Sequence, residues 1–509
     1  MFRSATICLL VACSTVFAQH DPQRNATQSI AAGDLAEAEK ILAKADTTDP
    51  ETLFVRMMLE LKRGQTEAAL ETAQAALDAG LPLPRLAAGP RELLGTLHES
   101  SAFQGWAEEY GLDKLKLLHG PMVGAVTDSS ASFWVRTREG CKVQVKIGEL
   151  LSDSAKSTPA SDFTAVVNID GLKPNTAYSY QVLLDGEPVA GGAATFTTFP
   201  KQGEGGKFSV AFGGGAGFVP EWEYMWDTIG KSAPSALLMM GDNVYIDQPK
   251  LTLCQHYCYH RRQERAEWRR LVASTPTYSI YDDHDFGTND CIPGPEIEVP
   301  EWKRPVWRIF KQNWVNPGYG GGEAQPGCWY DFHIGDVHFI MLDGRYYRDL
   351  KGGSMLGPVQ KAWLKKTLRE SEGTFKVLAS PVPWAEKIKP GSKDPWDGFA
   401  AEREEIFSFI HANEIPGVFL ISADRHRTDL RTTAREDGYT LYEFESSKLT
   451  NRHTHKVVET PGLIGYNKKC SFGLMRFDTL AADPQVSFDC ITIDGEIIHT
   501  HTLRASQLE

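Results

Sequence analysis

Four short segments carry residues able to bind metal ions and move protons: LLMMGDNVYID (Leu237 to Asp247), YDDHDFGTND (Tyr281 to Asp290), FIMLDGRYYRD (Phe339 to Asp349) and VFLISADRHRTDL (Val418 to Leu430). Each is an apolar or aromatic-rich stretch that runs into a polar turn. Hydrolysis of a phosphoester needs a charged group neutralised, hydroxide generated near neutral pH and a leaving oxygen stabilised, tasks that two metal ions ~3.5 to 4 Å apart can share. One carboxylate must bridge such a pair. Asp242 is the candidate, because Gly241 before it permits a tight turn directly after an apolar strand. Tyr245, three residues on, offers a phenolate, a hard anionic ligand suited to a trivalent ion such as iron.

Asp282-Asp283-His284-Asp285 places three carboxylates around an imidazole, a repulsive cluster that requires a cation or partial protonation. The strand-like run from Thr277 to Tyr281 before it argues for a formed site rather than a surface loop. Asp283 is the expected ligand of a second metal, and His284 the group that steadies the phosphate or protonates the leaving oxygen. Asp424 and His426 stand two residues apart after the apolar run Val418 to Ser422, so both can face the metals from an extended turn. Oxygen donors predominate, which favours hard ions (Ca²⁺, Mg²⁺, Mn²⁺, Fe³⁺) over a zinc pair. Arg345 follows the strand Phe339 to Leu342 and is a candidate fork for phosphate oxygens, with Arg348 as a second; a salt bridge is the equal alternative. Asp336-Val337-His338 spells a ligand pair, but it enters a strand from a hairpin-like turn and reads as structural. Cys254 to His260 (CQHYCYH) lacks a second CxxC or HxxxH partner, so a local disulfide or two buried thiols fits better than zinc.

A chain of 509 residues exceeds one core and implies two or three domains. Its net charge of −13 argues against a nucleic-acid-binding surface, which draws on a Lys/Arg excess. A phosphoester substrate, a small molecule, would then be drawn by metals and a local arginine. Arg3, the apolar stretch Ala5 to Phe17 and the small-residue pattern Val16-Phe17-Ala18 before Gln19 read as an export signal over residues 1–18. No later run of ~18 apolar residues suggests a transmembrane segment, so a soluble periplasmic or extracellular protein is expected. Leu10-Val11-Ala12-Cys13 also resembles a lipoprotein box, ranked second. Seven cysteines remain after the signal (Cys141, Cys254, Cys258, Cys291, Cys328, Cys470, Cys490), an odd number that leaves at least one unpaired or bonded outside the chain.

Residues 19–116 have helical periodicity, and Ala32 to Ala38 is echoed by Arg63 to Ala69, like one or two tetratricopeptide hairpins. A stable solenoid needs at least ~3 repeats, so an arm packed on the rest is expected. Residues 117–200 alternate as short strands, with Leu172 to Tyr178 (LKPNTAY) resembling the tyrosine corner of fibronectin type III sandwiches and Trp134 as a core residue. Beyond a Pro/Gly/Lys-rich linker near Phe199 to Lys207, strands alternate with helical stretches over 206–505, a layered α/β pattern with site residues at strand ends.

Assembled, these segments resemble the alkaline phosphatase D (PhoD-like) branch of the calcineurin-like metallophosphoesterases, in matching order from about Phe208 onward. GDNVYID is similar to that family's Gly-Asp-x-x-Tyr block, DDHD to Asp-Asp-His-Glu, SADRH to Ser-Gly-Asp-Arg-His and LDGRYYRD to Leu-Asp-Thr-Arg-x-x-Arg. The resemblance implies an α/β multidomain protein with a four-layer α/β/β/α catalytic domain, preceded by the fibronectin-III-like sandwich and the helical segment. It implies a dinuclear site, commonly Fe³⁺ with Ca²⁺, and activity on phosphate monoesters and diesters. By it, Asp242, Tyr245, Asp283, Asp424 and His426 go to metal, and His284 and Arg345 to the reacting phosphate. Where family members often carry Ser-Cys after the first strand, this chain has Phe212-Gly213-Gly214-Gly215-Ala216, so the family's cysteine ligand is replaced and the pair is read as Ca²⁺ with Fe³⁺ or Mn²⁺. The glycine run permits close backbone approach. The family's Asn ligand aligns with either Asn313 or Asn316. Purple acid phosphatases share the sandwich and Gly-Asp-x-x-Tyr, but use Gly-Asn-His-Glu and Gly-His-x-His, which this chain lacks. The competing readings are a phospholipase-D-like phosphodiesterase and, from another class, a binding or scaffold protein with a decayed metal site.

Overall fold

Short apolar runs such as Ala-Leu-Leu-Met-Met at Ala236–Met240 and Phe-Lys-Val-Leu-Ala at Phe375–Ala379 are buried at every position, the pattern of strands covered on both faces. The computed structural model describes residues 21–436, 438–457 and 464–509. The expected leader over 1–18, with Cys13, lies outside the described residues.

Two sheets form the larger body. In the first, strands run in the order Thr277–Ile280, Ala236–Met240, Lys207–Gly213, Ser471–Asp478, Gln485–Thr492 and Ile497–Arg504, the first three parallel and the rest an antiparallel meander. In the second, Val337–Met341, Phe375–Ala379, Val418–Ser422 and Leu441–Ser446 are parallel, with Tyr330–Ile334 antiparallel at one edge and Thr428–Thr433 and Gly465–Tyr466 at the other. Phe477 of the first sheet meets Phe339, Phe375 and Phe419 of the second, so the sheets pack face to face through aromatic side chains. Helices Gly357–Glu370 and Ala400–Ala412 cover the second sheet with Leu364, Leu368, Ile406 and Ile410 against Ile340, Leu378, Val418 and Leu420. Helices Met225–Lys231, Thr252–Glu264 and Ala266–Ser274 connect the parallel strands of the first. This is the mixed α/β, two-sheet arrangement expected from the sequence.

Ahead of it, two small antiparallel sheets enclose Phe133, Tyr180 and Phe196. The Lys173 N–H donates to Tyr178 Oη at 2.8 Å, the bond of a tyrosine corner. Trp134 is buried, and its indole N–H reaches Gln312 O, tying this sandwich to the larger body. Seven helices between Pro22 and Tyr110 precede it, several started by a side-chain cap from Asp21, Asp34, Asp49 or Ser100. The first, Pro22–Ala32, lies against the larger body: Arg24 pairs with Asp247 at 2.9 Å, Gln28 Nε2 donates to Ile246 O, and Asp21 pairs with Arg261 at 2.6 Å.

All seven described cysteines are free thiols. Cys254 and Cys258 are buried, and burial pushes both thiols up, to about 12 at Cys258. They form no disulfide and belong to no cluster of potential metal ligands among the described residues. No helix among those residues is long and apolar enough to cross a membrane.

Candidate active site

The turns after strands Ala236–Met240, Thr277–Ile280, Val418–Ser422 and Leu441–Ser446 converge at one cavity of about 590 Å³. Tyr245, Asp247, His284, Asp424 and His426 line it, together with Arg24 from the first helix. Gly241 makes the convergence possible. It holds φ of +102°, and a Cβ there would fall 2.6 Å from Asp282 Cβ, so a side chain would force the two strand ends apart. Asp242, Asp424 and His426 also hold positive φ (53°, 77° and 45°), a region that costs a non-glycine residue roughly 1–3 kcal/mol. Three such residues in one place mark a backbone held for its side chains rather than its own comfort.

Tyr245 Oη joins the two halves of the cluster. It lies 3.0 Å from Asp242 Oδ2 and 2.8 Å from His426 Nε2, and it accepts from Asn451 Nδ2 at 2.6 Å. Burial, then Asp242, pushes its phenol well above the ordinary value. Asp242 is itself pushed up by burial and by Asp283, Asp282 and Asp285, with His284 opposing. Burial and Asp394 raise Asp424 to about 6, while burial and the neighbouring His455 and His453 hold His426 well below its ordinary value.

The carboxylates of Asp282-Asp283-His284-Asp285 turn out to have separate tasks. Asp285 accepts the N–H groups of Val244, Asn243 and Asp282, which locks the turn after Gly241. Asp282 is held by the Arg345 guanidinium. Asp283 accepts the N–H groups of His284 and Asp290 and lies 3.7 Å from Arg345 Nη2; burial works against its charge, but Arg345 and His284 bring its pKa below the usual value. Asp283 also groups with Asp242 and His284, donor atoms within 4.8 Å of one another, and separately with Asp290 and Asp394. His284 Nδ1 is bonded to Asp247 Oδ1. Burial opposes charge on that ring, yet Asp247, Asp283 and Asp242 prevail and raise its pKa well above the ordinary value.

Four buried donor atoms here make no hydrogen bond among the described residues: Asp242 Oδ1, Asp282 Oδ2, Asp424 Oδ2 and His426 Nδ1. Atoms of this kind occur elsewhere in the described residues, at Glu445 Oε2 and His119 Nε2 for example, but those of Asp242, Asp424 and His426 stand on the turns that meet at the cavity. Asp242 and His426 meet at the Tyr245 phenol, and Asp242 also groups with Asp283 and His284; carboxylate oxygens, a phenol and an imidazole so placed are a donor set for a cation, so the residues present fit a metal centre.

Not every expected residue reaches this place. Arg345 is fully buried and absent from the cavity wall; its Nη1 also pairs with Asp394 Oδ1 at 2.6 Å, so its fork is spent on carboxylates rather than presented to phosphate. Arg348 is likewise used on Asp394 and on Gly344 O. Neither asparagine weighed as a ligand stands at the cavity. Asn313 accepts from Arg136 and Gln263, and Asn316 caps both backbone groups of Ser279. Asn289 and Asn451 line the cavity in their stead. The cations that do face it are Arg24, Lys389, Arg425 and Arg452. Asp247 ends the GDNVYID segment and could have been singled out there, and His453-Thr454-His455 is a ligand-like spelling. Arg24 leaves no local signal.

A family model described as PhoD-like phosphatase matches residues 210–471, a span that holds every predicted site residue. The chain belongs to the PhoD-like phosphatase family. A second model, described as a domain of unknown function (DUF7800), matches residues 114–202 of this PhoD-like chain. The chain is 23% identical over 318 residues to alkaline phosphatase D of Bacillus subtilis (strain 168), covering 53% of this chain and 54% of that protein. It is 25% identical over 283 residues to purple acid phosphatase 23 of Arabidopsis thaliana, covering 50% and 55%. The chain thus spans about half the length of the curated relatives it matches. Among solved structures, one of PhoD aligns over 78% of this chain and 91% of its own, with a TM-score of 0.65 at 16% identity. Purple acid phosphatase PPD1 from yellow lupin (Lupinus luteus) seeds aligns over 76% and 75%, with a TM-score of 0.57 at 11% identity. At these identities the structural likeness speaks for the fold.

Proposed function

We propose that this PhoD-like chain is an exported, metal-dependent phosphoesterase that hydrolyses monoesters or diesters of small molecules. The observation that carries the reading is the set of buried donor atoms without hydrogen bonds, at Asp242, Asp424 and His426, beside a cavity lined by four basic side chains. Asp242, Tyr245, Asp283, Asp424 and His426 are the proposed ligands of two cations, calcium with iron or manganese in kind. Bound there, the ions would supply Lewis acidity toward the phosphoryl oxygens and hydroxide near neutral pH.

The protein's own part is to bind, orient and move a proton. Lys389, Arg425 and Arg452 add positive charge to the cavity that would take the anionic ester, while Arg24 holds Asp247. Asp247 holds His284 through Nδ1, which leaves Nε2 to give a proton to the leaving oxygen. Arg345 acts behind the site as a positioning residue, fixing Asp282 and Asp283. We further assign residues 1–18 to the leader, 19–116 to the helical segment, 117–200 to the sandwich and 206–505 to the catalytic domain.

The test is hydrolysis of a chromogenic phosphate monoester and the matching diester by wild type, Asp424→Asn and His284→Ala. The reading expects both variants to lose orders of magnitude in turnover while keeping their far-UV circular dichroism. Near-normal turnover in both would refute the site assignment, and the monoester-to-diester ratio of the wild type chooses the ester class.

A further inference from the structure

The donors expected from the sequence include one nitrogen, that of His426. The structure adds two. His453 and His455 stand on the loop that follows strand Leu441–Ser446, and one ligand atom from each lies within 4.8 Å of one from His426. The glycine run places this loop. The Leu449 N–H donates to Gly214 O, the Thr450 N–H to Gly215 O, and Thr450 Oγ1 to Gly217 O. A Cβ on Gly215 would fall 2.3 Å from Ser447 O, so the loop can lie this close to the end of strand Lys207–Gly213 only against glycine.

The loop is then pinned in the orientation that brings its imidazoles inward. Asn451 Oδ1 accepts the His453 N–H at 2.8 Å, while Asn451 Nδ2 donates to Tyr245 Oη. Thr454 Oγ1 donates to His426 O at 3.1 Å, and Asn467 Nδ2 donates to His455 O at 2.8 Å. The ring centroids are 5.3 Å apart for His426 and His453, 5.4 Å for His426 and His455, and 4.6 Å for His453 and His455. Three imidazoles that each bind one ion through a nitrogen at ~2.0 to 2.1 Å, on tetrahedral directions, would have centroids about 5 Å apart. His426 is 6% exposed, and its Nδ1 is one of the buried atoms that make no hydrogen bond. All three rings line the cavity, so a fourth position on such an ion would face it.

We propose that His426, His453 and His455 form a nitrogen-rich cation position adjoining the carboxylate cluster, selective for a borderline divalent ion of the zinc or cobalt type over calcium or magnesium. The inference rests on reading the cavity as a metal centre, and it adds to the two hard-ion positions proposed above a third of another metal class, with His426 at the boundary between them through its two nitrogens: three imidazoles suit zinc and its neighbours, whereas oxygen donors suit hard ions.

The experiment uses the full chain freed of metal by chelation and titrated with Co²⁺ alone and Zn²⁺ alone. Calorimetry gives the stoichiometry, and the visible ligand-field bands of Co²⁺ report the geometry. The wild type should bind one more equivalent than a His453→Ala/His455→Ala double variant, and intense tetrahedral Co²⁺ bands should disappear in that variant. A His453→Gln/His455→Gln variant, checked by circular dichroism, decides the matter if the alanine variant does not fold. Asp242→Asn separates the two readings, because it should abolish ester hydrolysis yet keep the Co²⁺ bands. If the bands and stoichiometry survive in the folded double variant while the wild type hydrolyses esters, the imidazole position is refuted and the phosphoesterase stands. If the wild type hydrolyses no ester but the bands appear and depend on His453 and His455, the cation position stands and the phosphoesterase falls.

Discussion

Two constellations of Asp and His sit beside cavities of the same size, about 590 Å³ each, and they differ in what their polar atoms already hold. On the hairpin Tyr330–Ile334 and Val337–Met341, Asp331, His333 and His338 have donor atoms within the same 4.8 Å of one another as Asp242, Asp283 and His284 of the strand-end cluster. There, however, His338 Nε2 pairs with Asp331 Oδ2 at 3.0 Å, its Nδ1 with Ser371 Oγ at 2.8 Å, and its ring stacks on His333 at 3.9 Å. Both nitrogens of His338 are thus engaged, and none of the three residues has a buried side-chain atom without a hydrogen bond. The strand-end group leaves Asp242, Asp424 and His426 with buried atoms that make no hydrogen bond and holds all three at positive φ. Proximity of ligand types does not by itself separate a site from a structural cluster; these two differ in whether their buried polar atoms are already engaged and in whether the backbone is constrained to present them.

The sharpest way to break this comparison is to disable one member of each. Asp242→Asn should lower kcat/KM for a phosphoester by about 10³-fold or more, the scale expected when a centre that stabilises transition-state charge is lost. His338→Ala should leave kcat/KM within about twofold of wild type. Comparable losses in both would erase the distinction. Next in size, Arg345→Ala leaves the buried Asp282 and Asp394 without their shared partner and should cost about 3–5 kcal/mol in urea unfolding. A change of under about 1 kcal/mol would return Arg345 to the role of a dispensable fork.

Arg24→Ala probes how far the site's order extends. Arg24 supports Asp247, which holds His284, so its loss should reduce kcat roughly 10- to 100-fold with little change in melting temperature. An unchanged kcat would confine the helical segment to packing.

The last effect concerns a buried carboxyl away from both constellations. Burial raises Glu264 to about 7, against Arg269 and Arg85, with His119 Nε2 3.3 Å away. A carboxyl whose folded pKa lies above its unfolded value near 4.5 adds stability below that pH and loses it as pH rises through 7. The wild type should therefore lose about 2 to 3 kcal/mol relative to Glu264→Gln between pH 4.5 and 7.5, measured by denaturant titration at each pH. A flat difference would mean that burial alone does not shift such groups here.

Much of the frame was legible because it is local. Apolar runs of about five residues ending in Gly-Asp, Asp-Asp-His-Asp or Ala-Asp-Arg-His state both a buried strand and the polar turn after it. What was not legible depends on contacts distant in sequence. Arg345 looked available after its strand, yet its guanidinium is consumed by Asp394, 49 residues on, and by Asp282, 63 residues back. Arg24 reaches Asp247 from 223 residues away. Asn313 and Asn316 could each align with the ligand that the family resemblance implies, but their amides are used up inside the fold. The His453-Thr454-His455 loop takes its place from a glycine run whose function as a bed for another segment no pattern in either stretch declares.

The most direct test of the central claim is ester hydrolysis and metal content measured on the same preparation, before chelation, after it, and after return of Ca²⁺, Mn²⁺, Fe³⁺ or Zn²⁺. The account predicts that activity disappears with the metal and returns with at least one of these ions. Hydrolysis that persists in protein shown to be metal-free would contradict it.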